Sequence, residues 1–258
     1  MGAGALAIQG PQGPEAYGED LASIHEAGFG DVARGAARTL ASLLSRRTEP
    51  RGLVVDLGCG PGILAAELSR AGHEVLGIDL SPAMIAIARR RAPRARFRVG
   101  SFRDAELPSC AAVVATGEIF SYLFDGEADL ERVFRRVRRA LVPGGIFLFD
   151  VAAPGRVPGR GPLKLHREGD DWAILVTLET DARRRILTRS MTCFREADGA
   201  WRRSTEVHRQ RLFRAPEVER ALRRAGFEAR AIESYAGRPF SPGQIGYLAR
   251  KPAARVRR

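Results

Sequence analysis

Three glycines and two aspartates in the first third of the chain have the spacing of a nucleotide-binding turn. Asp56 precedes Gly58, Gly60 and Gly62, and Asp79 follows 17 residues after the last of these glycines. Glycine lets a ligand approach the backbone at points where a Cβ atom would clash. A carboxylate at the position of Asp79 can accept hydrogen bonds from both hydroxyls of a ribose. These residues therefore predict a site for a ligand that carries a ribose.

The spacing of the glycines distinguishes two classes of ligand. Turns that bind dinucleotides usually follow G-x-G-x-x-G, in which the third glycine packs the helix on the strand. The pattern here is G-x-G-x-G, which suits a ligand that has no pyrophosphate to place at the helix N-terminus. S-adenosylmethionine is such a ligand, and Asp56 is close enough to the turn to help hold the ammonium group of its methionine end. A nicotinamide or flavin protein, and a glycine turn without a ligand, are the alternatives.

A strand, a turn, a helix and a second strand are needed to hold these residues in place. Apolar runs over 53–57 and 74–78 each carry an acid at or beside their end, and the amphipathic stretch between them predicts a helix over 62–71. Ser81 followed by Pro82 predicts the start of the next helix. This order of elements indicates a doubly wound α/β sheet, which binds ligands at the carboxyl ends of its strands.

The run from Val54 to Gly62 resembles motif I of the class I S-adenosylmethionine-dependent methyltransferases. A second similarity is Leu-x-Pro-Gly-Gly at 141–145 followed by an apolar strand over 146–151, so the resemblance covers residues 53–151. It implies a Rossmann-like, seven-stranded doubly wound sheet that ends in an antiparallel hairpin. S-adenosyl-L-methionine is the expected cofactor and S-adenosyl-L-homocysteine the expected product, and no metal site is expected.

The chain is predicted to have four regions. Alternating apolar and polar residues over 172–180, 186–196 and 201–213 predict an antiparallel β insert after the fifth strand, with a hairpin turn at Asp198-Gly199. Helices are predicted over 17–44, 125–141 and 215–225, and further core strands over 96–99 and 111–116. The regions are an N-terminal tail and helical lid (1–48), the cofactor-binding core (49–155), the insert (156–213), and a C-terminal helix and β-hairpin (214–258).

The resemblance also implies which residues surround the cofactor. Ser101 follows the third strand, where the family usually has an aspartate that binds the adenine amino group, and Phe102 would cover the adenine ring. Gly117, at the end of the fourth strand, would let the methionine portion of the cofactor approach. The expected cofactor-binding residues are Tyr17, Asp56, Gly58, Cys59, Gly60, Asp79, Leu80, Met84, Ser101, Phe102 and Gly117.

The candidate catalytic residues follow from what methyl transfer requires. A nucleophile must be aligned with the S–CH₃ bond, and an acceptor amine or alcohol must also lose a proton. Glu118 and Tyr122 follow the fourth strand and would face the acceptor. The segment from Tyr17 to Phe29 resembles the lid of small-molecule methyltransferases, in which a tyrosine and a polar residue close over the cofactor, so His25 is the third expected catalytic residue. His208, in the insert, points either into a pocket or into water.

The composition limits the class of partner. The 258 residues include 42 basic and 30 acidic side chains, a net charge of +12, and 40 of the basic residues are arginine. The arginines are scattered over helix faces, and residues 1–33 hold five acids and no lysine or arginine, so a nucleic-acid partner is not expected. Without a signal peptide or an apolar run of 18 residues, we expect a cytoplasmic monomer or homodimer that makes no membrane contact.

A small-molecule methyltransferase with an enclosed pocket is therefore the predicted function, by N- or O-methylation. Two alternatives stay open: an RNA or protein methyltransferase that uses the basic surface, and a protein that binds the cofactor without catalysis. An open basic groove beside Gly117 would favour the first, whereas intact Asp56, Gly58, Gly60 and Asp79 disfavour the second.

Overall fold

The central element of the protein is a mostly parallel, seven-stranded sheet. The computed structural model describes residues 17–46, 52–159 and 161–253. In chain order the strands are β1 (Val54–Leu57), β2 (Val75–Asp79), β3 (Arg96–Val99), β4 (Cys110–Ala115), β5 (Leu141–Ala152), β6 (Leu163–Glu168), β7 (Trp172–Asp181), β8 (Ile186–Ala197), β9 (Ala200–Arg211), β10 (Glu228–Ile232), β11 (Ser234–Tyr235), β12 (Arg238–Pro239) and β13 (Gln244–Arg250). The sheet order is β10-β13-β5-β4-β1-β2-β3. Only β13 breaks the parallel arrangement, because it pairs antiparallel with both β5 and β10.

The described residues also form six α-helices, the first two of which precede the first strand, and one 3₁₀ turn. They are α1 (Glu19–Gly28), α2 (Asp31–Ser45), α3 (Ile63–Arg70), α4 (Pro82–Arg91), the 3₁₀ turn (Ile119–Tyr122), α5 (Glu127–Ala140) and α6 (Ala215–Arg224). The start of α4 is fixed as the sequence predicts: Ser81 Oγ accepts a hydrogen bond of 3.2 Å from the Met84 backbone N–H, and Pro82 occupies the first turn.

Parallel pairing places the candidate site at one edge of the sheet. β1 and β4 are buried along their whole length and consist of apolar residues apart from Asp56, as expected for strands covered on both faces. β1 pairs in parallel with β2 and β4, and β4 pairs in parallel with β5. The carboxyl ends of these four strands therefore lie side by side, and the turns that follow them face the same region.

The insert is a four-stranded antiparallel sheet in the order β6-β7-β8-β9. Three of its strands match the predicted ranges closely, and β9 turns back from β8 at Asp198-Gly199. The fourth strand, β6, was not predicted, because its side chains are almost all exposed and alternate weakly, and pairing with β7 alone defines it. The inner face of the insert packs on the core at Ala152 and Leu212, so the insert adjoins the end of β5.

Two further differences from the sequence prediction concern turns. β5 begins at Leu141 directly after α5. The Pro-Gly-Gly segment at 143–145, which was expected to precede the strand, lies inside it at a register shift between β4 and β5. A two-stranded hairpin of β11 and β12 also follows β10; its strands have two residues each, too short for a periodic signal. The division of the chain at residues 48, 155 and 213 stays a prediction.

The predicted lid, residues 17–29, lies against both the core and the insert. α1 packs through Leu21 and Ile24 on Trp172, Ile174 and Met191 of the insert, and through Ala22 on Met84 of α4. The fold is thus α/β, with a Rossmann-like seven-stranded sheet and an antiparallel insert after β5, as predicted. Among the described helices, none combines the length and apolarity that a membrane crossing needs.

Candidate active site

Four glycines at the strand ends divide into two that pack on protein and two that face open space. A Cβ atom on Gly58 would lie 2.6 Å from Ile119, and one on Gly62 would lie 2.9 Å from the Ala88 side chain. Gly60 and Gly117 also have positive φ angles, of 52° and 80°, but a Cβ atom there would meet no atom within 4 Å. The open positions therefore mark where a ligand can approach the backbone.

Asp79 is fixed by the glycine turn. Its two carboxylate oxygens accept hydrogen bonds from the backbone N–H of Gly60 (2.8 Å) and of Ser81 (2.9 Å). Burial raises the pKa of Asp79, and these backbone donors oppose that increase. Each carboxylate oxygen keeps further lone pairs that can accept the hydroxyls of a ribose.

Asp56 provides a buried carboxylate with an unused acceptor. The residue is 1% exposed, and its Oδ2 has no hydrogen-bond partner among the described residues. Burial, and secondarily the charge of Asp79, raise the pKa of Asp56 well above its usual range. A cationic ligand group would satisfy this oxygen and restore its charge. The ammonium group of S-adenosylmethionine meets that requirement, so Asp56, Asp79 and the open glycines fit this cofactor.

Asp150, which the sequence analysis did not single out, holds the turn after β4. It lies near the carboxyl end of the interior strand β5. It accepts hydrogen bonds from the backbone N–H of Gly117 (3.3 Å) and Glu118 (2.7 Å). Its remaining acceptor sites are used by the Tyr235 hydroxyl (2.9 Å) and the Gln244 amide (3.1 Å). Burial and the charge of Glu118 raise the pKa of Asp150 to about 6. Four donors fix this side chain, and through it the conformation of Gly117.

Ser101 and Phe102 lie in a turn after β3. Ser101 is half-buried, and its hydroxyl accepts a hydrogen bond of 3.1 Å from the Arg103 backbone N–H. The Phe102 ring packs edge-on against Phe120 with 5.6 Å between ring centroids. Their proposed contacts with adenine stay predictions.

The other expected cofactor residues lie around the glycine turn. Leu80 is half-buried directly after Asp79, whereas Cys59 is buried at 7% exposure. Met84 is 2% exposed and packs against Ala22 of the lid. Met84 therefore links α4 to the lid, which is a role that the sequence pattern did not indicate.

A series of hydrogen bonds joins the lid, the turn after β4 and the insert. His208 Nε2 lies 2.8 Å from a Glu206 carboxylate oxygen, and His208 Nδ1 lies 3.0 Å from the Tyr122 hydroxyl. The same Glu206 carboxylate accepts the backbone N–H groups of Tyr17 (3.0 Å) and Gly18 (2.9 Å). The side-chain ring of Tyr17 also packs edge-on against that of His208, with 4.8 Å between the centroids, so the lid contacts the same group of residues.

The direction of these bonds follows from their chemistry. An ionised carboxylate only accepts, so Nε2 of His208 carries a hydrogen and donates it to Glu206. Nδ1 then accepts the hydrogen of the Tyr122 hydroxyl. Burial, and secondarily the Tyr17 side chain, raise the pKa of Tyr122 well above 10, so this hydroxyl is protonated at neutral pH. The arrangement can pass a proton from Tyr122 to an imidazole that a carboxylate orients.

Glu118 occupies a different environment from the one expected of a free catalytic base. It is 2% exposed and has a left-handed backbone with φ 64°. Its carboxylate forms ion pairs with Arg189 of β8 and with Arg156, the latter at 3.1 Å. Each of its oxygens faces a guanidinium group, so the carboxylate is engaged in ion pairs and is not a free base. We therefore regard Glu118 as an anchor for these arginines.

His25 lies in α1 beside Tyr17 and Phe29, with ring centroids at 5.7 and 5.8 Å. Burial, and secondarily the charge of Arg189, lower the pKa of His25 to about 4. A neutral imidazole with so low a pKa accepts a proton poorly near pH 7. The structure thus favours His208 over His25 as the proton acceptor, although both assignments stay predictions.

Replacing His25 with phenylalanine should make the protein more resistant to acid. Because the pKa of folded His25 is about 4 and that of an unfolded histidine about 6.5, the unfolded chain binds this proton first. The contribution of His25 is fully present above pH 6.5 and is lost as pH falls toward 4, by at most about 3 kcal/mol. Urea unfolding at pH 7 and pH 5 measures the difference. His166→Phe, at an exposed position of β6, should leave the acid sensitivity unchanged; equal behaviour of both variants would contradict the assignment.

Replacing Glu206 with glutamine should loosen the predicted lid. Glutamine offers one acceptor oxygen to the two backbone N–H groups and the imidazole that now share the carboxylate, so at least one donor loses its partner. Loss of a hydrogen bond to a charged group costs about 1.5–3 kcal/mol, so amide exchange over residues 17–28 should be faster by about tenfold or more. Glu196→Gln, at an exposed position of β8, is the control. Identical exchange in the two variants would show that Glu206 does not hold the lid.

Comparison with known proteins identifies the core. Residues 54–145 match the family model described as "Methyltransferase domain". The chain is 28% identical over 236 residues to the cypemycin N-terminal methyltransferase of Streptomyces. The aligned residues cover 88% of this chain and 94% of that protein. It is 30% identical over 144 residues to the dTDP-3-amino-3,6-dideoxy-alpha-D-glucopyranose N,N-dimethyltransferase of Streptomyces fradiae, covering 54% and 56%. Relatives named as O-methyltransferases are matched as well.

A solved structure shows the same fold over almost the whole chain. It is an S-adenosylmethionine-dependent methyltransferase from Clostridium acetobutylicum, with a TM-score of 0.77 at 17% identity. The similarity covers 90% of this chain and 98% of that one, so it includes the insert as well as the core sheet.

Proposed function

We propose that this chain, which carries a class I S-adenosylmethionine-dependent methyltransferase domain, transfers the methyl group to the amine nitrogen of a small polar acceptor. The observation that carries the proposal is the series Tyr122–His208–Glu206, in which a hydroxyl beside the turn after β4 donates to an oriented imidazole. Tyr122 follows Gly117 by five residues, so the series begins next to the open glycine of the cofactor groove.

The first requirement of the reaction is a neutral amine. Bound S-adenosylmethionine supplies a methyl group activated by a sulfonium, and only a nitrogen with a free lone pair can attack it. In the proposed route the oxygen of Tyr122 takes a proton from the acceptor ammonium while its own hydrogen passes to Nδ1 of His208. Glu206 then stabilises the imidazolium through Nε2, as the orienting acid does in other catalytic triads.

The charge of the pocket supports the same role. Arg189 pairs with Glu118, which directly follows Gly117 in the turn after β4, and we place its guanidinium on the acceptor side of the site. A positive charge there disfavours the ammonium form of an acceptor amine and favours the neutral form. In this proposal the lid and the insert exclude water from the reacting atoms, because the series of hydrogen bonds through Glu206 and His208 joins both to the core.

The polarity of the series Tyr122–His208–Glu206 favours an acceptor with several hydrogen-bonding groups. A tyrosine hydroxyl, an imidazole and a carboxylate meet there, and the oxygens of the hydroxyl and the carboxylate keep lone pairs that can accept hydrogens from a polar acceptor. Of the two relatives described above, one is named as an N-terminal methyltransferase and the other as an N,N-dimethyltransferase of an amino sugar. These names agree with the choice of nitrogen but do not decide it for this chain.

A comparison of paired acceptors tests the proposal. The protein is incubated with S-adenosylmethionine that carries a deuterated methyl group, together with small amines such as glucosamine and their hydroxyl counterparts such as glucose. Mass spectrometry should find the label on nitrogen of an amine and on no hydroxyl counterpart. Transfer only to hydroxyl groups would contradict the proposal, and so would transfer to bulk RNA or protein but to no small amine.

A further inference from the structure

A buried ion cluster beside the proposed acceptor site contains more positive than negative charge. The single carboxylate of Glu118 faces two guanidinium groups: Arg156 lies 3.1 Å from one of its oxygens, and Arg189 pairs with the other. The side chains of Arg156 and Arg189 are only 16% and 24% exposed. The three side chains therefore form a partly buried site with an excess of one positive charge.

The two arginines also hold donors that no described residue uses. The Nε atoms of both Arg156 and Arg189 are buried and lack a hydrogen-bond partner among the described residues. Asp150 is the next acid in the neighbourhood, but its oxygens are occupied by Gly117, Glu118, Tyr235 and Gln244. The pKa of Arg156 is lowered by burial, and the like charge of Arg189 adds to that effect against the attraction of Glu118.

We propose that Arg189, with Arg156 beside it, receives an acidic group of the methyl acceptor, a carboxylate or a phosphate. The buried Nε–H groups of the two arginines lack an acceptor, which is costly, and the oxygens of a carboxylate or phosphate would supply one to each guanidinium. This inference rests on the proposed function, because it places the acidic group on the molecule that is methylated. Arg189 also interacts with Tyr122, so the acid and the reacting nitrogen occupy adjacent parts of one pocket.

The carboxylate of the cofactor is the other possible source of an acidic group. Arg189 lies on the insert strand β8, whereas the glycine turn belongs to the core, and we assign the acidic group to the acceptor on that ground. The experiment therefore separates the two sources by saturating the cofactor groove before an anion is added.

Inorganic phosphate is titrated by calorimetry into protein that has been saturated with S-adenosylhomocysteine. Wild type and the control Arg209→Gln, at an exposed position of β9, should bind phosphate, whereas Arg189→Gln should bind it about tenfold or more weakly. S-adenosylhomocysteine should bind Arg189→Gln as tightly as wild type. Arg156→Gln serves as a second variant if Arg189→Gln does not fold, with the same expected loss.

Two results would overturn the inference. The first is that phosphate binds to neither form, or binds equally to all variants. The second is that Arg189→Gln weakens S-adenosylhomocysteine but not 5′-methylthioadenosine, which lacks the amino-acid end; the arginine would then hold the cofactor. Either result leaves the amine-labelling experiment unaffected, whereas absence of methyl transfer to any amine would contradict the proposed function and not the anion site.

Discussion

Replacing His208 with asparagine should lower kcat about 10²- to 10³-fold, within the range measured for loss of a general base. Asparagine keeps an oxygen near the position of Nδ1, so Tyr122 retains an acceptor, but the amide cannot take up a proton at neutral pH. Proton removal from the acceptor then depends on water. The measurement is kcat for an amine identified by the labelling experiment, over a range of pH, with the cofactor saturating. In the variant, the rate should lose its dependence on pH on the acidic side.

The control for this substitution is His166→Asn, which changes an exposed histidine on β6 of the same insert. Its kcat should match that of wild type. The affinity for S-adenosylhomocysteine should be the same in all three proteins, because the hydrogen bonds of His208 go to Tyr122 and Glu206 and not to the glycine turn. If His208→Asn retained nearly the wild-type rate and pH profile, the imidazole would not be the proton acceptor.

Replacing Gly117 with valine should reduce affinity for S-adenosylhomocysteine about 100-fold or more, which corresponds to about 2.7 kcal/mol. A Cβ atom at this position meets no protein atom within 4 Å, so the valine would extend into the space assigned to the methionine portion of the ligand. The substitution should also lower the folding stability, because Gly117 has φ 80° and a side chain in this region is strained by about 1–2 kcal/mol. Calorimetric titration gives the affinity, and thermal unfolding gives the stability.

Gly199 provides a matched control for that strain. It has φ 76°, a Cβ atom there would also meet nothing within 4 Å, and it lies in the β8–β9 turn of the insert. Gly199→Val should therefore lose a similar amount of stability and keep full affinity. Equal affinities of the two variants for S-adenosylhomocysteine would mean that the space beside Gly117 does not receive the ligand.

Local patterns were sufficient to predict the core of the protein. The prediction of a methyltransferase domain is confirmed over residues 54–145, and it depended mainly on one glycine turn and one acid at the end of the next strand. The Ser81-Pro82 signal placed the start of α4 correctly, because the cap and the proline act within a single helical turn. Strands that are buried on both faces are continuous apolar runs, so β1 and β4 were also predicted within a residue.

The candidate catalytic centre could not be predicted in the same way, because its partners are distant in sequence. His208 contacts Tyr122 across 86 residues, and Glu206 contacts Tyr17 across 189. Alternation along β9 puts residues 206 and 208 on one face of the strand, but only the burial of His208 and its contact with Tyr122 of the core show that this face points inward. Similarly, the contact of Glu118 with Arg189, which lies 71 residues further along the chain, could not be predicted from local sequence.

Asp150 illustrates the same limit at a single position. The sequence shows an acid inside an apolar strand, which is compatible with several roles. Its function in fixing Gly117 and Glu118 follows from four hydrogen bonds made by residues of three different segments. A buried acid between apolar neighbours is nevertheless a signal, since such a group needs partners to be tolerated.

Calorimetric titration of S-adenosylhomocysteine into the wild-type protein tests most directly the claim that the glycine turn, Asp56 and Asp79 form the cofactor site. One equivalent should bind per chain, NAD should not displace it, and Asp79→Asn should weaken it by about 1.5–3 kcal/mol through loss of a charged acceptor. Asp104→Asn, at an exposed position, should bind as wild type does. Absence of binding, displacement by NAD, or full affinity in Asp79→Asn would contradict the assignment of this site.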